Sequence, residues 1–178
     1  MFSKTRLMLL CLFIVTAALI PGYGSVVSIR SLLLLSSLLG IASAGQTLTI
    51  IMGGIDLSVP AVIGLACVGF AVAYGQGVSP WVIGPLVIVV GVVISAVNGL
   101  ISRALRVNSL IVTLATATVI YGAIWAQTKG DNRGSVPDAL TNFVSVIGWT
   151  GPIPLPGSVI LWAVVVVAFV ILERRSVL

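Results

Sequence analysis

The chain has 178 residues, of which 59 % are hydrophobic and 7 % charged, with a mean hydropathy of +1.26 and a formal net charge of +5. So apolar a chain belongs in a membrane. Its composition excludes a soluble enzyme, a secreted disulfide scaffold and a nucleic-acid-binding module, because the nine Lys and Arg residues are scattered at loop positions and share no basic face.

The charged residues leave five uncharged windows, at 7–29, 31–55, 57–102, 107–128 and 139–172. A bilayer hydrocarbon core is about 30 Å thick and a helix rises about 1.5 Å per residue, so roughly 20 apolar residues cross once. The third window therefore holds two crossings. Runs such as Leu32 to Leu35 and Val164 to Val167 are continuous, where the strands of an outer-membrane barrel would alternate. The pattern predicts an all-α, polytopic membrane helix bundle of about six transmembrane helices, at 7–23, 31–52, 57–74, 81–101, 107–127 and 156–172. No linker interrupts it, and 1–178 reads as a single transmembrane domain.

At the N-terminus, Lys4 and Arg6 ahead of an apolar run from Leu7 to Ile20 are similar to the start of a signal peptide. Leu10 before Cys11 is not the small residue of a lipoprotein site, and no clean A-x-A site follows, so an uncleaved first span is expected. With the N-terminus in the cytoplasm, the inner ends collect Lys4, Arg6, Arg103, Arg106, Arg174 and Arg175, and the outer ends Arg30, Lys129 and Arg133. That distribution satisfies the positive-inside rule and places both termini in the cytoplasm. Tyr23, Tyr74, Trp81, Trp125 and Trp162 all fall near the outer ends, at the headgroup level that amphipathic aromatics prefer. Residues 129–155 are rich in Gly and Pro and are expected to be a non-helical extracytoplasmic loop, dipping toward the membrane around 143–149.

Lipid supplies no hydrophobic drive between helices, so their association depends on small residues that let backbones approach. Ser36, Gly40 and Ala44 on the second span, and Gly91, Ser95 and Gly99 on the fourth, recur at four-residue intervals and are expected at helix contacts. Cys11 and Cys67 sit in apolar windows and read as small hydrophobes. There is no histidine and no G-x-x-x-x-G-K-[ST] run. Catalytic residues, a metal site, a cofactor and ATP binding by this chain itself are accordingly not expected.

The stretch Gly45 to Pro60, GQTLTIIMGGIDLSVP, departs from this pattern. Each glycine of Gly53-Gly54 weakens a helix by about 1 kcal/mol, and Asp56 is the sole charge between Ser31 and Ser102. Ser58 and Pro60 resemble a helix restart, with serine as cap and proline in the first turn. Together they predict a broken or tightly turned helix pair carrying one acid. Asp56 then has two readings: an acid serving a pathway or ligand in a discontinuous membrane helix, or a carboxylate capping a helix at the cytoplasmic turn. Gln46, Thr47, Thr49, Asn98, Thr113, Thr116 and Thr118 are the other polar groups within spans. They could bond a hydroxylated solute in a water-filled path, or backbone carbonyls and neighbouring helices.

The run from Gly45 to Val59 strongly resembles the segment that marks permease subunits of bacterial ABC importers for ribose, xylose, galactose and related sugars. Asn98-Gly-Leu, VNSLIVTL from Val107 to Leu114, and LERR from Leu172 to Arg175 follow in the same order. The resemblance implies an inner-membrane translocation subunit paired with a second permease and a cytoplasmic ABC ATPase, and fed by a periplasmic solute-binding protein. It points to Gly53, Gly54, Asp56, Leu57 and Ser58 as a mechanically important turn. Such permeases carry glycine where this chain has Pro60, and they continue into a docking helix for the ATPase and a second set of spans. A fragment of such a permease, not coupled to ATP hydrolysis by itself, is therefore expected. The alternative is a passive or structural bundle, a pore or scaffold without energised transport.

Overall fold

The computed structural model describes residues 2–131, 134–145 and 155–175. Those residues form seven helices and no strand: α1 (Phe2–Leu19), α2 (Val26–Ile51), α3 (Val59–Gly75), α4 (Pro80–Leu105), α5 (Ser109–Thr128), α6 (Asp138–Val144) and α7 (Gly157–Arg175). Each of the six expected spans overlaps one helix, although α1 and α2 each begin five residues earlier than expected, and the remaining helix, α6, lies in the long loop. Three of them, α2, α4 and α5, are long and apolar enough to cross a membrane, whereas Val59–Gly75 and Gly157–Leu172 are shorter apolar helices.

One detail corrects the sequence reading. The loop at 129–155 is not free of helix: Asp138 begins a seven-residue helix directly after Pro137, whose carbonyl accepts from the amides of Leu140 and Thr141. A proline immediately ahead of a helix leaves the following amides free to be bonded, so the Pro that argues against a helix interior here starts one. Arg133 and residues 146–149 of the expected re-entrant stretch lie outside the described residues.

By its contacts the chain divides into two compact units, residues 1–41 with 142–178, and residues 42–141. In the first, Ser37 on α2 is buried and donates to Ser158 of α7 at 2.8 Å. One turn further along, Gly40 faces the Trp162 indole so closely that a methyl group there would overlap the ring. Ser36, the expected contact residue, is exposed, and the buried serine is its neighbour.

In the second unit α3 packs against both α4 and α5, and α4 against α5. Ala61, Ala117 and Ile120 form the core, with Val62, Leu65, Ile94 and Ile124 around them. Alanines at its centre let the helix backbones come close, which is how helices associate where lipid already solvates every apolar side chain. Gly91 of α4 faces Val62 of α3, and Ala44 is half-buried. Ser95 and Gly99 are exposed, and a Cβ added at Gly99 would have no neighbour within 4 Å. Beyond α5 the chain returns to the end of α3, where Gly134 rests on Ala71 and the Ser135 amide donates to the Ala71 carbonyl at 3.1 Å.

Both α4 and α5 end in a left-handed residue that is not glycine, Arg106 (φ 53°) and Lys129 (φ 51°). A cation at a helix C-terminus complements the helix dipole, which offsets part of the conformational cost.

Candidate functional site

All the unusual residues of the GQTLTIIMGGIDLSVP run lie in the second unit, at the junction of α2 and α3. Gly53 takes φ +80°, its amide donates to the Ile50 carbonyl at 2.9 Å, and the Gly54 amide donates to the Thr49 carbonyl at 2.9 Å. This pair of bonds is the Schellman ending, which needs a left-handed residue just past the helix. Gly53→Ala is therefore expected to cost about 1 kcal/mol, read as a lowered unfolding midpoint of the purified chain in detergent. Open space surrounds Gly53, so conformation alone sets that cost.

After the helix end the backbone runs irregularly from Gly54 to Ser58, and inside a low-dielectric bundle each unpaired amide would be costly. None of the six amides from Gly53 to Ser58 is left unpaired. Beyond the two Schellman bonds, the Ile55 amide donates to Ser109 Oγ at 3.2 Å and the Leu57 amide to Thr113 Oγ1 at 3.0 Å. The Gln46 carboxamide, oriented so that both its polar atoms are satisfied, brackets the Asp56 peptide. Its oxygen accepts from the Asp56 amide at 3.2 Å and its nitrogen donates to the Asp56 carbonyl at 3.1 Å. The Ser58 amide donates to Asp56 Oδ1 at 2.7 Å. Four side chains, from α2, α5 and the turn itself, thus stand in for the missing helical carbonyls.

The same turn opens a chain of side-chain hydrogen bonds across α3, α4 and α5. Thr116 Oγ1 donates to Asn98 Oδ1 at 2.6 Å, Asn98 Nδ2 donates to Ser58 Oγ at 3.1 Å, and Ser58 Oγ donates to Asp56 Oδ1 at 2.6 Å. Asn98 and Ser58 are buried, and Asp56 is half-buried. Ser58 occupies the N-cap position of α3 with Pro60 in the first turn, yet its hydroxyl makes no capping bond. It is committed to Asp56 and Asn98, and Asp56 reaches forward to take the amide instead. Asp56 therefore has the geometry of an acid at a helix start.

Beside this network lies a cleft of about 440 Å³ whose walls include Asp56, Ser95, Asn98, Ser102, Ser109 and Thr113. Gly54 and Gly99 also face it, along with Thr49, Met52 and Ile55. Gly54 lies against Ser109, its Cβ position 3.1 Å from Ser109 Oγ. The clefts between α3 and α4, by contrast, are lined almost entirely by aliphatic residues and glycine. A concave site with convergent polar groups in apolar surroundings is what a small polar solute requires. Among the described residues no cluster of His, Cys, Asp and Glu could hold a metal ion.

The structure brings together Gln46, Gly53, Gly54, Asp56, Leu57, Ser58 and Asn98, together with Thr113 and Thr116. Leu57 participates through its amide, and its side chain is exposed. Thr47, Thr49 and Thr118 instead donate to carbonyls four residues back on their own helices. Ser109 was not singled out by sequence. Its signal is the spacing of hydroxyls at 109, 113 and 116, which puts all three on one face of α5. Asn108, whose side chain accepts from the Leu110 amide at 3.0 Å, caps that helix and sets where the face begins.

Residues 28–178 match the family model described as the permease component of the branched-chain amino acid transport system. The chain belongs to this permease family. Among its relatives is an inner membrane ABC transporter permease protein of Escherichia coli K12, YjfF, 34 % identical over 86 % of this chain and 47 % of the relative. The ribose import permease protein RbsC of the same organism is 29 % identical over 94 % of this chain and 52 % of its own length. An autoinducer 2 import system permease protein of Klebsiella pneumoniae, LsrD, is 28 % identical over 78 % of this chain and 42 % of the relative. The permease chain thus spans about half the length of the curated relatives it matches. No solved structure matches it.

Proposed function

We propose that this chain is part of a membrane-embedded permease subunit of an ATP-binding cassette importer, moving a monosaccharide or similar small neutral solute across the bacterial inner membrane. The match to the permease family over residues 28–178 carries this reading, and relatives named for ribose and autoinducer 2 import support a small hydroxylated cargo. The near absence of charge within the spans suits a neutral solute. The partners are a second permease subunit, alike or different, a cytoplasmic ATPase that performs the hydrolysis, and a periplasmic solute-binding protein. Residues 1–178 act as one permease domain with six spans and both ends in the cytoplasm. The turn at Gly53 to Ser58, with Gln46 and Asn98, borders the solute's route.

Deleting the gene from its host is expected to abolish ATP-dependent uptake of at least one member of a radiolabelled pentose and hexose panel. A tagged copy should retrieve an ABC ATPase from membranes in mild detergent. Unchanged uptake of the whole panel with no ATPase retained would overturn the reading. The topology is tested separately: alkaline phosphatase fused behind Arg175 is expected to be inactive, and activity in the periplasm would reverse the threading.

A further inference from the structure

The glycine pair and the break between α2 and α3 suggest a hinge, a place where the chain bends during transport. The hydrogen bonds contradict that. A hinge needs backbone groups free to rotate, whereas every amide from Gly53 to Ser58 is already bonded, two of them to hydroxyls of α5 and one to Gln46 of α2. Only Gly53 uses a backbone conformation that glycine favours, and it uses it to finish a helix. Asp56 is held from both sides: its peptide by Gln46, and its carboxylate by Ser58, which Asn98 and Thr116 hold in turn.

We infer that the turn is a latch, in which Ser109 and Thr113 of α5 and Gln46 of α2 are positioning residues that fix the irregular segment, and with it Asp56, to the α3–α5 core. The end of α2, the turn and α3–α5 then move as one block. Thr113 is central, because it is buried and its hydroxyl both accepts from the Leu57 amide and lies 3.4 Å from the Ile55 carbonyl. Ser109 is half-exposed and its bond is longer, so it fastens the entrance of the segment less firmly. Asp56 has a task to be positioned for only if the proposed solute route holds, whereas the latch itself is measured without transport.

Amide hydrogen exchange, read at single residues on the whole chain in lipid nanodiscs, tests it. The segment borders an open cleft, so an amide released from its partner meets water. Thr113→Val, nearly the same shape without the hydroxyl, is expected to speed exchange at Leu57 by about five- to tenfold, in keeping with one hydrogen bond lost. Thr113→Ser should restore the original rate to within about threefold. Ser109→Ala, at a half-exposed position where folding is not at stake, should speed exchange at Ile55 and leave Leu57 alone. Gln46→Leu should release Asp56. A segment that exchanges rapidly in the unaltered chain, or Leu57 and Ile55 rates that ignore these variants, would overturn the latch. A latch that behaves as expected while Asp56→Asn leaves uptake unchanged would remove the solute route and leave the latch standing.

Discussion

Asn98→Leu is expected to destabilise the second unit by about 1–2 kcal/mol, the largest effect of any single change at conserved volume in this network. Asn98 is 4 % exposed and joins two helices to the turn, accepting from Thr116 Oγ1 and donating to Ser58 Oγ. Leucine fills the same space and forfeits both bonds. In water each bond would count for about 1 kcal/mol. Within a membrane protein the figure is nearer 0.6 kcal/mol on average, because polar groups of the unfolded chain also find partners, so the sum falls in the lower part of that range. Asn98→Asp should be no milder. Ser58 has one hydroxyl proton, already given to Asp56, and a second carboxylate would face it with nothing to accept. Titration with a denaturing detergent would show the effect, and a leucine variant as stable as the parent would mean that the polar bridge contributes nothing beyond its volume.

Asp56 separates two roles that sequence alone leaves superposed. Its Oδ1 accepts two bonds from Ser58, at 2.7 Å from the amide and 2.6 Å from the hydroxyl. Asparagine can accept both, so Asp56→Asn is expected to fold and insert normally, within about 0.5 kcal/mol of the parent, whereas Asp56→Ala should lose about 1–2 kcal/mol as other capping side chains do when truncated. Uptake by a complete importer containing this segment should fall in both variants, since both remove the one acidic group that borders the cleft among the described residues. Comparing the two in one transport assay distinguishes the readings. Full activity of the asparagine variant would leave Asp56 as a replaceable cap, and the structural loss in the alanine variant would account for any defect there.

Much of the layout is legible in the amino-acid sequence. The interrupted helix at Gly53-Gly54 and the helix restart near Ser58 and Pro60 are local events, set by residues adjacent in the chain. Asp56, Gln46 and Asn98 stand out because a polar side chain in an apolar run needs a reason to be there. Sequence could not distinguish the threonines that bond their own helix, such as Thr47 and Thr118, from Thr113 and Thr116, which reach across to the turn and to Asn98. Ser109 left only a weak mark, a hydroxyl in phase with Thr113 and Thr116 on α5, whose meaning emerges once the turn is seen to lie against it. Small-residue spacing marks a stripe on each helix; Gly40 lies against Trp162 and Gly91 against Val62, while the buried serine is Ser37 rather than Ser36. A four-residue repeat drifts around the helix surface, and it does not say which edge of the stripe meets the neighbour.

The amino-acid sequence by itself determined that this is an all-helical membrane protein, roughly where its six long helices lie, and where the second one must stop, because hydropathy, charge placement and glycine chemistry act within a few residues of one another; the short α6 escaped it. Only the tertiary structure decided what holds the broken segment. Hydrogen bonds from Ser109, Thr113 and Asn98 to the turn join residues some forty to fifty-eight positions apart in the chain, and a directional bond of about 3 Å exists only once packing of α3 against α4 and α5 has brought its two ends together.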